Sequence, residues 1–108
     1  MEEPTLDELT LLHANVCQAL GDPKRIFILY ALHERPRHVS LLAEELGMPQ
    51  PTVSRHLKIL SQRALVTSVR EGPAVIYHLA DPRIIEILNS MRQLLRDALL
   101  RQTGVLAE

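Results

Sequence analysis

Arg55, Lys58, Arg63 and Arg70 lie in a stretch, Gly47 to Arg70, that contains no carboxylate in 24 residues. Cationic groups without competing acids attract anions. The hydroxyls and amides among them (Gln50, Thr52, Ser54, Gln62) donate and accept hydrogen bonds. Together these groups suit the phosphates and base edges of a DNA duplex. The overall charge hides the asymmetry. Twelve Lys and Arg against thirteen Asp and Glu give a formal net charge of −1, because Glu2, Glu3, Asp7 and Glu8 crowd the opposite end of the chain.

Other chemistries find less material. His13, His33, His38, His56 and His78 show no i, i+4 ligand spacing on one helix, so no metal site and no cofactor are expected. A single cysteine, Cys17, cannot close an intramolecular disulfide and suits a reducing compartment. Cys17 reads either as a small buried apolar residue or as a thiol switch between two subunits. No Ser/His/Asp order, Gly-rich phosphate loop or paired-carboxylate cleft is visible, so the chain does not read as an enzyme.

The basic stretch must be held by one small domain. The chain has 108 residues, 46% hydrophobic and only 3% aromatic, which favours a Leu, Ile, Val and Ala core on helices. No apolar run approaches the roughly 20 residues of a membrane span. The acidic first residues lack the order of a signal peptide, so a cytoplasmic location is expected.

Leu6, Leu9, Leu12, Val16 and Leu20 recur at helical spacing and predict a helix over about 5–20. Asp22-Pro23 pairs an N-cap with a first-turn proline and opens a second helix through Ile26, Leu29 and Leu32. After Glu34-Arg35-Pro36, Ser40 is the expected cap of a short helix carrying Leu42, Ala43 and Leu46, which Gly47 ends. A tight connection at Pro49-Gln50-Pro51 then starts a helix over about 51–63, completing a helix-turn-helix. Leu65–Val69 and Val75–Tyr77 are rich in β-branched residues around the turn Glu71-Gly72-Pro73, a hairpin over about 65–79. Asp81-Pro82 repeats the cap and starts a last helix over about 82–101. The predicted class is mainly α with a small β-hairpin: a single winged helix-turn-helix domain over 1–108, ordered α-α-α-α-β-β-α.

At about 100° per residue, Val53, Leu57, Leu60 and Ala64 form the core stripe of the fourth helix. Pro51, Arg55, Lys58 and Gln62 fall opposite, with Thr52 and Ser54 at the edges. The exposed set fits a major groove, and the helix N-terminus can aim N–H groups at a phosphate. His56 falls near the core stripe, so it reads either as a DNA contact or as a partly buried structural histidine.

Three segments then carry a resemblance: Ala19-Leu20-Gly21-Asp22-Pro23-Lys24-Arg25, Leu42-Ala43-Glu44, and Gln50-Pro51-Thr52-Val53-Ser54-Arg55-His56-Leu57-Lys58-Ile59-Leu60. With Arg70-Glu71-Gly72 and Tyr77, the chain resembles the ArsR/SmtB family of bacterial repressors from about Leu12 to Pro82. The resemblance implies a homodimer on double-stranded operator DNA, released when an inducer binds. It implies DNA contacts by Gln50, Pro51, Thr52, Ser54, Arg55, His56, Lys58 and Gln62, and by Arg70 and Gly72 on the wing. Pro49 replaces a capping serine, and Pro73 a basic wing residue, which leaves Arg70 as the wing candidate. His38 and Ser40 stand where relatives carry a Cys-x-Cys pair, and Arg83, Leu94 and Asp97 stand beside Asp81 where others place metal ligands. The family's metal sites are therefore expected to be missing, and the inducer is unknown.

The last helix has more apolar surface than a small domain can cover. Pairing Leu9, Leu12 and Val16 with Ile84, Leu88, Met91 and Leu95 across a two-fold axis would cover it. Two-fold symmetry would require half-sites about 34 Å apart, or a multiple of that. Two alternatives stand beside the repressor: a redox-responsive repressor acting through Cys17, and a winged-helix module that binds protein.

Overall fold

The computed structural model describes residues 2–103. Helix α1 (Leu6–Leu12) is capped by the Thr5 hydroxyl, which accepts from the Glu8 N–H, and it runs on into a π-helical turn over His13–Cys17. The expected helix therefore forms but changes pitch. Thr10 Oγ1 and Asn15 Nδ2 donate to the carbonyls of Leu6 and Leu11, and the Gln18 N–H reaches back five residues to His13 O at 2.9 Å. A π turn takes in an extra residue and rotates the chain beyond it. As a result Ala19 enters the core at 1% exposure, while Leu20, the end of the expected stripe, is only partly buried.

Helix α2 (Pro23–Glu34) begins as its sequence predicts: Asp22 Oδ1 accepts from the Lys24 N–H at 2.8 Å, with proline in the first turn. Next comes an element the sequence did not reveal. Arg37–His38 form a two-residue strand, β1, which pairs antiparallel with the later strand at Arg37↔Tyr77 and His38↔Ile76. Two residues are too few to show period-two alternation. The strand also displaces the expected cap of α3 (Val39–Leu46). His38 Nδ1, not Ser40, accepts from the Leu41 N–H at 3.2 Å.

Gly47 adopts φ +68° and closes α3 in the left-handed conformation that glycine tolerates best. Helix α4 (Gln50–Gln62) follows, then strands β2 (Val66–Glu71) and β3 (Ala74–Leu79), and finally α5 (Arg83–Thr103). The sheet order is β1-β3-β2, and β2 pairs with β3 from Val66↔Leu79 to Glu71↔Ala74. Only Gly72 and Pro73 are left in the turn. Gly72 at φ +62° and a proline after it is the residue pattern of a type II′ hairpin. Asp81 caps α5 by accepting from the Arg83 N–H at 2.9 Å.

One core holds these elements together: Ile28, Leu29 and Leu32 of α2, Leu42 and Ala43 of α3, Val53, Leu57 and Leu60 of α4, Val66 of β2, and Ile84, Ile85 and Leu88 of α5. Arg37, 5% exposed, is satisfied inside it. Its guanidinium donates to Ala31 O, Arg35 O and Glu45 Oε1, tying β1 to the end of α2 and to α3. The described residues extend 55 × 36 × 21 Å with a radius of gyration of 16.5 Å. A compact chain of this length would have about 13 Å. Helix α1 accounts for part of the excess, since it buries none of its residues.

Ala64 does not extend the α4 stripe. It lies past the helix end at φ +61°, exposed. Its N–H bonds Ser61 O at 3.1 Å, and the Leu65 N–H bonds Leu60 O at 3.0 Å. That pair of bonds is a Schellman motif with alanine at the position glycine usually fills. A left-handed L-residue costs about 1–2 kcal/mol, partly offset by the greater freedom of glycine in the unfolded chain. Ala64→Gly is therefore expected to stabilise the fold by about 0.5–1 kcal/mol, read as a higher urea midpoint at unchanged slope.

Candidate nucleic-acid interface

The orientation of α4 follows from its apolar residues. Val53, Leu57 and Leu60 are at most 1% exposed, which fixes the rotation of the helix about its axis. Gln50, Pro51, Ser54, Arg55, Lys58 and Gln62 are then exposed, and Thr52 is half-buried at the edge. Arg63 is exposed at the C-terminal end, and Arg70 and Gly72 are exposed on the hairpin. The basic, acid-free segment thus presents its cations outward together, on one helix and the adjoining wing.

The N-terminus of α4 offers a phosphate less than its sequence suggests. Pro49 provides no side-chain cap, Pro51 has no N–H, and the N–H groups of Thr52 and Val53 bond Pro49 O at 3.0 and 3.2 Å. The first turn is left with the N–H of Gln50 for such a contact. On the wing, Pro73 lines one groove with His38, Val39 and Ser40 around the start of α3.

His56 is the one expected DNA contact that the structure turns inward. It is 9% exposed, and its Nδ1 lies 3.3 Å from Arg25 Nη1. It sits one residue from the Leu57 seam, and burial wins over the polar character of the ring. Arg25 can only donate, so this contact is a hydrogen bond only when the ring is neutral with Nδ1 unprotonated. Burial holds the His56 pKa below its ordinary value of 6.5, reinforced by the cations Arg25, Arg55 and Lys24 and opposed by Asp22.

Arg25 is the residue that sequence reasoning missed. Its Nε donates to Ala19 O at 2.7 Å, its Nη2 donates to Gln18 O at 3.1 Å, and Nη1 lies 3.9 Å from Asp22 Oδ2. The backbone N–H of Lys24 and the nearby positive groups hold the Asp22 carboxyl below its usual range. One guanidinium thus joins the end of the π turn, the cap of α2 and the inner side of α4. The motif Gly21-Asp22-Pro23-Lys24-Arg25 was visible, but its partner is 31 residues away.

The other expected positions divide. Leu9, Leu12, Met91 and Leu95 are 43–58% exposed and available to a second copy, and Val16 is half-buried. Ile84 and Leu88, at 9% and 2%, are not available. The first turns of α5 face the domain's own core, and its apolar stripe leaves the body only after Leu88. Leu6, Ile87, Leu94 and Leu99 add 50–78% exposed surface that was not anticipated. Cys17 is exposed, against the buried reading. His38 Nδ1 serves as the α3 cap, and Asp81 is bound by Arg83 at 2.7 Å. Among the described residues, no three His, Cys, Asp or Glu converge on a metal-sized site, and no helix is long and apolar enough to cross a membrane.

A helix-turn-helix followed by a wing, with a basic outer face, defines a winged helix-turn-helix regulator. The family model described as "Bacterial regulatory protein, arsR family" matches residues 22–68. The repressor SmtB of Mycobacterium tuberculosis is 45% identical over 71 residues, covering 66% of this chain and 53% of its own, so the chain spans about half the length of that relative. The HTH-type regulator Rv0081 of the same organism is 35% identical over 103 residues, 94% of this chain and 90% of its own. Its crystal structure superposes with a TM-score of 0.77, covering 94% of this chain and 99% of that one, at 34% identity. The homodimeric winged helix-turn-helix DNA-binding domain Mb0332 of Mycobacterium bovis gives 0.75 at 27% identity, covering 94% and 95%. The chain belongs to the arsR family.

A group whose pKa is lower in the folded than in the unfolded state stabilises the fold fully above the unfolded value and loses that contribution as pH falls. For His56 the loss begins near its ordinary 6.5. Between about pH 7.5 and pH 5.5, the urea midpoint of the wild type is expected to fall further than that of His56→Asn, which cannot titrate. Parallel curves would show that His56 does not carry the effect.

Proposed function

We propose that the protein is a homodimeric, sequence-specific DNA-binding repressor, with α4 as the helix that enters the major groove. The observation that carries this reading is the outward, acid-free face of Ser54, Arg55, Lys58 and Gln62, held by a seam of fully buried Val53, Leu57 and Leu60. Arg55 and Gln62 can address base edges, while Lys58, Arg63 and Arg70 neutralise phosphates. Family membership and the homodimeric DNA-binding relative support the same reading.

Dimerisation would bring two α4 helices to one duplex. The surface that supports it is the exposed apolar face of α1 (Leu6, Leu9, Leu12) with the outer half of α5 (Met91, Leu94, Leu95). An exposed apolar surface of this kind on a small domain is best covered by a second copy, and a two-fold pair reads a pseudo-palindromic site. An inducer would act by favouring a dimer geometry in which the two α4 helices no longer match successive grooves.

Fluorescence anisotropy on a duplex from the promoter upstream of its own gene tests the reading. Arg55→Ala is expected to weaken binding by about 1–3 kcal/mol, and Lys58→Ala to lower the salt slope by about one. Salt-insensitive behaviour with no DNA complex would instead favour the protein-binding module. The two halves of α5 are expected to separate cleanly. Leu88→Ala should cost about 2–5 kcal/mol of folding stability. Leu95→Asp should keep the fold, as read by circular dichroism, but shift sedimentation towards the monomer.

A further inference from the structure

We propose that Arg25 and His56 form a latch that positions the recognition helix against the α1–α2 corner, and that protonation of His56 opens it and weakens DNA binding. The inference rests on the reading of α4 as the DNA-contacting helix and adds to it a positioning device and a signal.

Arg25 is built in as a hub. Its side chain is 14% exposed, and each of its three nitrogens has a partner: Ala19 O at 2.7 Å, Gln18 O at 3.1 Å and His56 Nδ1 at 3.3 Å. The first two acceptors belong to the backbone at the end of the π turn, and Asp22 keeps the guanidinium oriented from the α2 cap. His56 is therefore the polar link from this hub to α4. The corner leads directly into α1, the helix proposed to meet the second copy. The latch thus links the spacing of the two subunits to the placement of the helix that reads DNA.

The bond exists only while His56 is neutral. An imidazolium carries N–H on both nitrogens, and Arg25 has no lone pair to receive one. Protonation would set the imidazolium against the Arg25 guanidinium at a buried site, where the nearby anion is Asp22, already bonded to the Lys24 N–H and 3.9 Å from that guanidinium. The charged groups facing the ring are Asp22 and Lys24 at the start of α2, Arg25 on α2 and Arg55 on α4. Asp22 favours the protonated form more than any single cation opposes it, but burial together with the three cations keeps the ring on the neutral side. Arg25 keeps its two carbonyls when the ring charges, so it is His56, and α4 with it, that must give way.

The expected sign is opposite to the usual one. Acidification adds positive charge to a DNA-binding protein and ordinarily tightens its hold on phosphates. Here, binding to the promoter duplex is expected to weaken about twofold or more between about pH 7.5 and pH 5.5, with the fold retained by circular dichroism. His56→Asn keeps an acceptor near the Nδ1 position and cannot titrate. It is expected to bind within about twofold of the wild type at the higher pH and to lose the acid-induced weakening. Arg25→Lys, without the planar fork, is expected to bind more weakly at both pH values. Wild-type binding that holds or tightens at the lower pH, or a His56→Asn variant that weakens equally, would overturn the proposal. Long-range 1H–15N spectra of the histidines test the latch without DNA, and a neutral Nε2–H ring titrating below 6.5 is expected. If no duplex binds at either pH, the reading of α4 fails on its own. The latch is then judged by the spectra, where an Nδ1–H tautomer or titration at or above 6.5 overturns it.

Discussion

Everything on the outer surface of this domain depends on how three side chains of α4 are buried. Val53, Leu57 and Leu60 lie where α4 meets α2, α3 and β2, with essentially no water contact. Turning the helix about its axis by one residue would bring a polar side chain into that seam and an apolar one out of it, at a cost of several kcal/mol. The rotation is therefore fixed without any contact from the outward face. Arg55, Lys58 and Gln62 need make no structural bond, which leaves them free to meet a ligand.

The same core divides α5 into two parts. Ile84, Ile85 and Leu88 complete the monomer, whereas Met91, Leu94, Leu95 and Leu99 continue the helix beyond the body and stay exposed. Helix α1, which buries nothing, stands out in the same way. The fold and the proposed assembly thus draw on successive turns of one amphipathic helix. This explains why a small domain carries so much uncovered apolar surface while its core is complete.

Two arginines tie backbone carbonyls together inside the domain. Arg37 reaches the carbonyls of Ala31 and Arg35 and the carboxylate of Glu45, which anchors a two-residue strand too short to hold itself. Arg25 does the equivalent work at the other end of α2, but one of its partners is an imidazole. That difference sets a tie made to carbonyls and a carboxylate apart from one that also relies on a ring whose only lone pair is lost when it takes up a proton.

The order of the main elements, the caps Asp22 and Asp81, the glycine that ends α3 and the outward basic face were all legible in the sequence, because each depends on neighbours within one or two turns. Tertiary packing decided the rest. The strand Arg37–His38 exists only through its pairing with β3, the π turn moves the core position from Leu20 to Ala19, and Ala64 takes a left-handed cap that local sequence assigns to glycine. Periodicity placed His56 beside the seam, and Ile84 and Leu88 on the same stripe as Met91 and Leu95. Which of these faces the core depends on elements distant along the chain, and a single-helix pattern has no term for a partner 31 residues away.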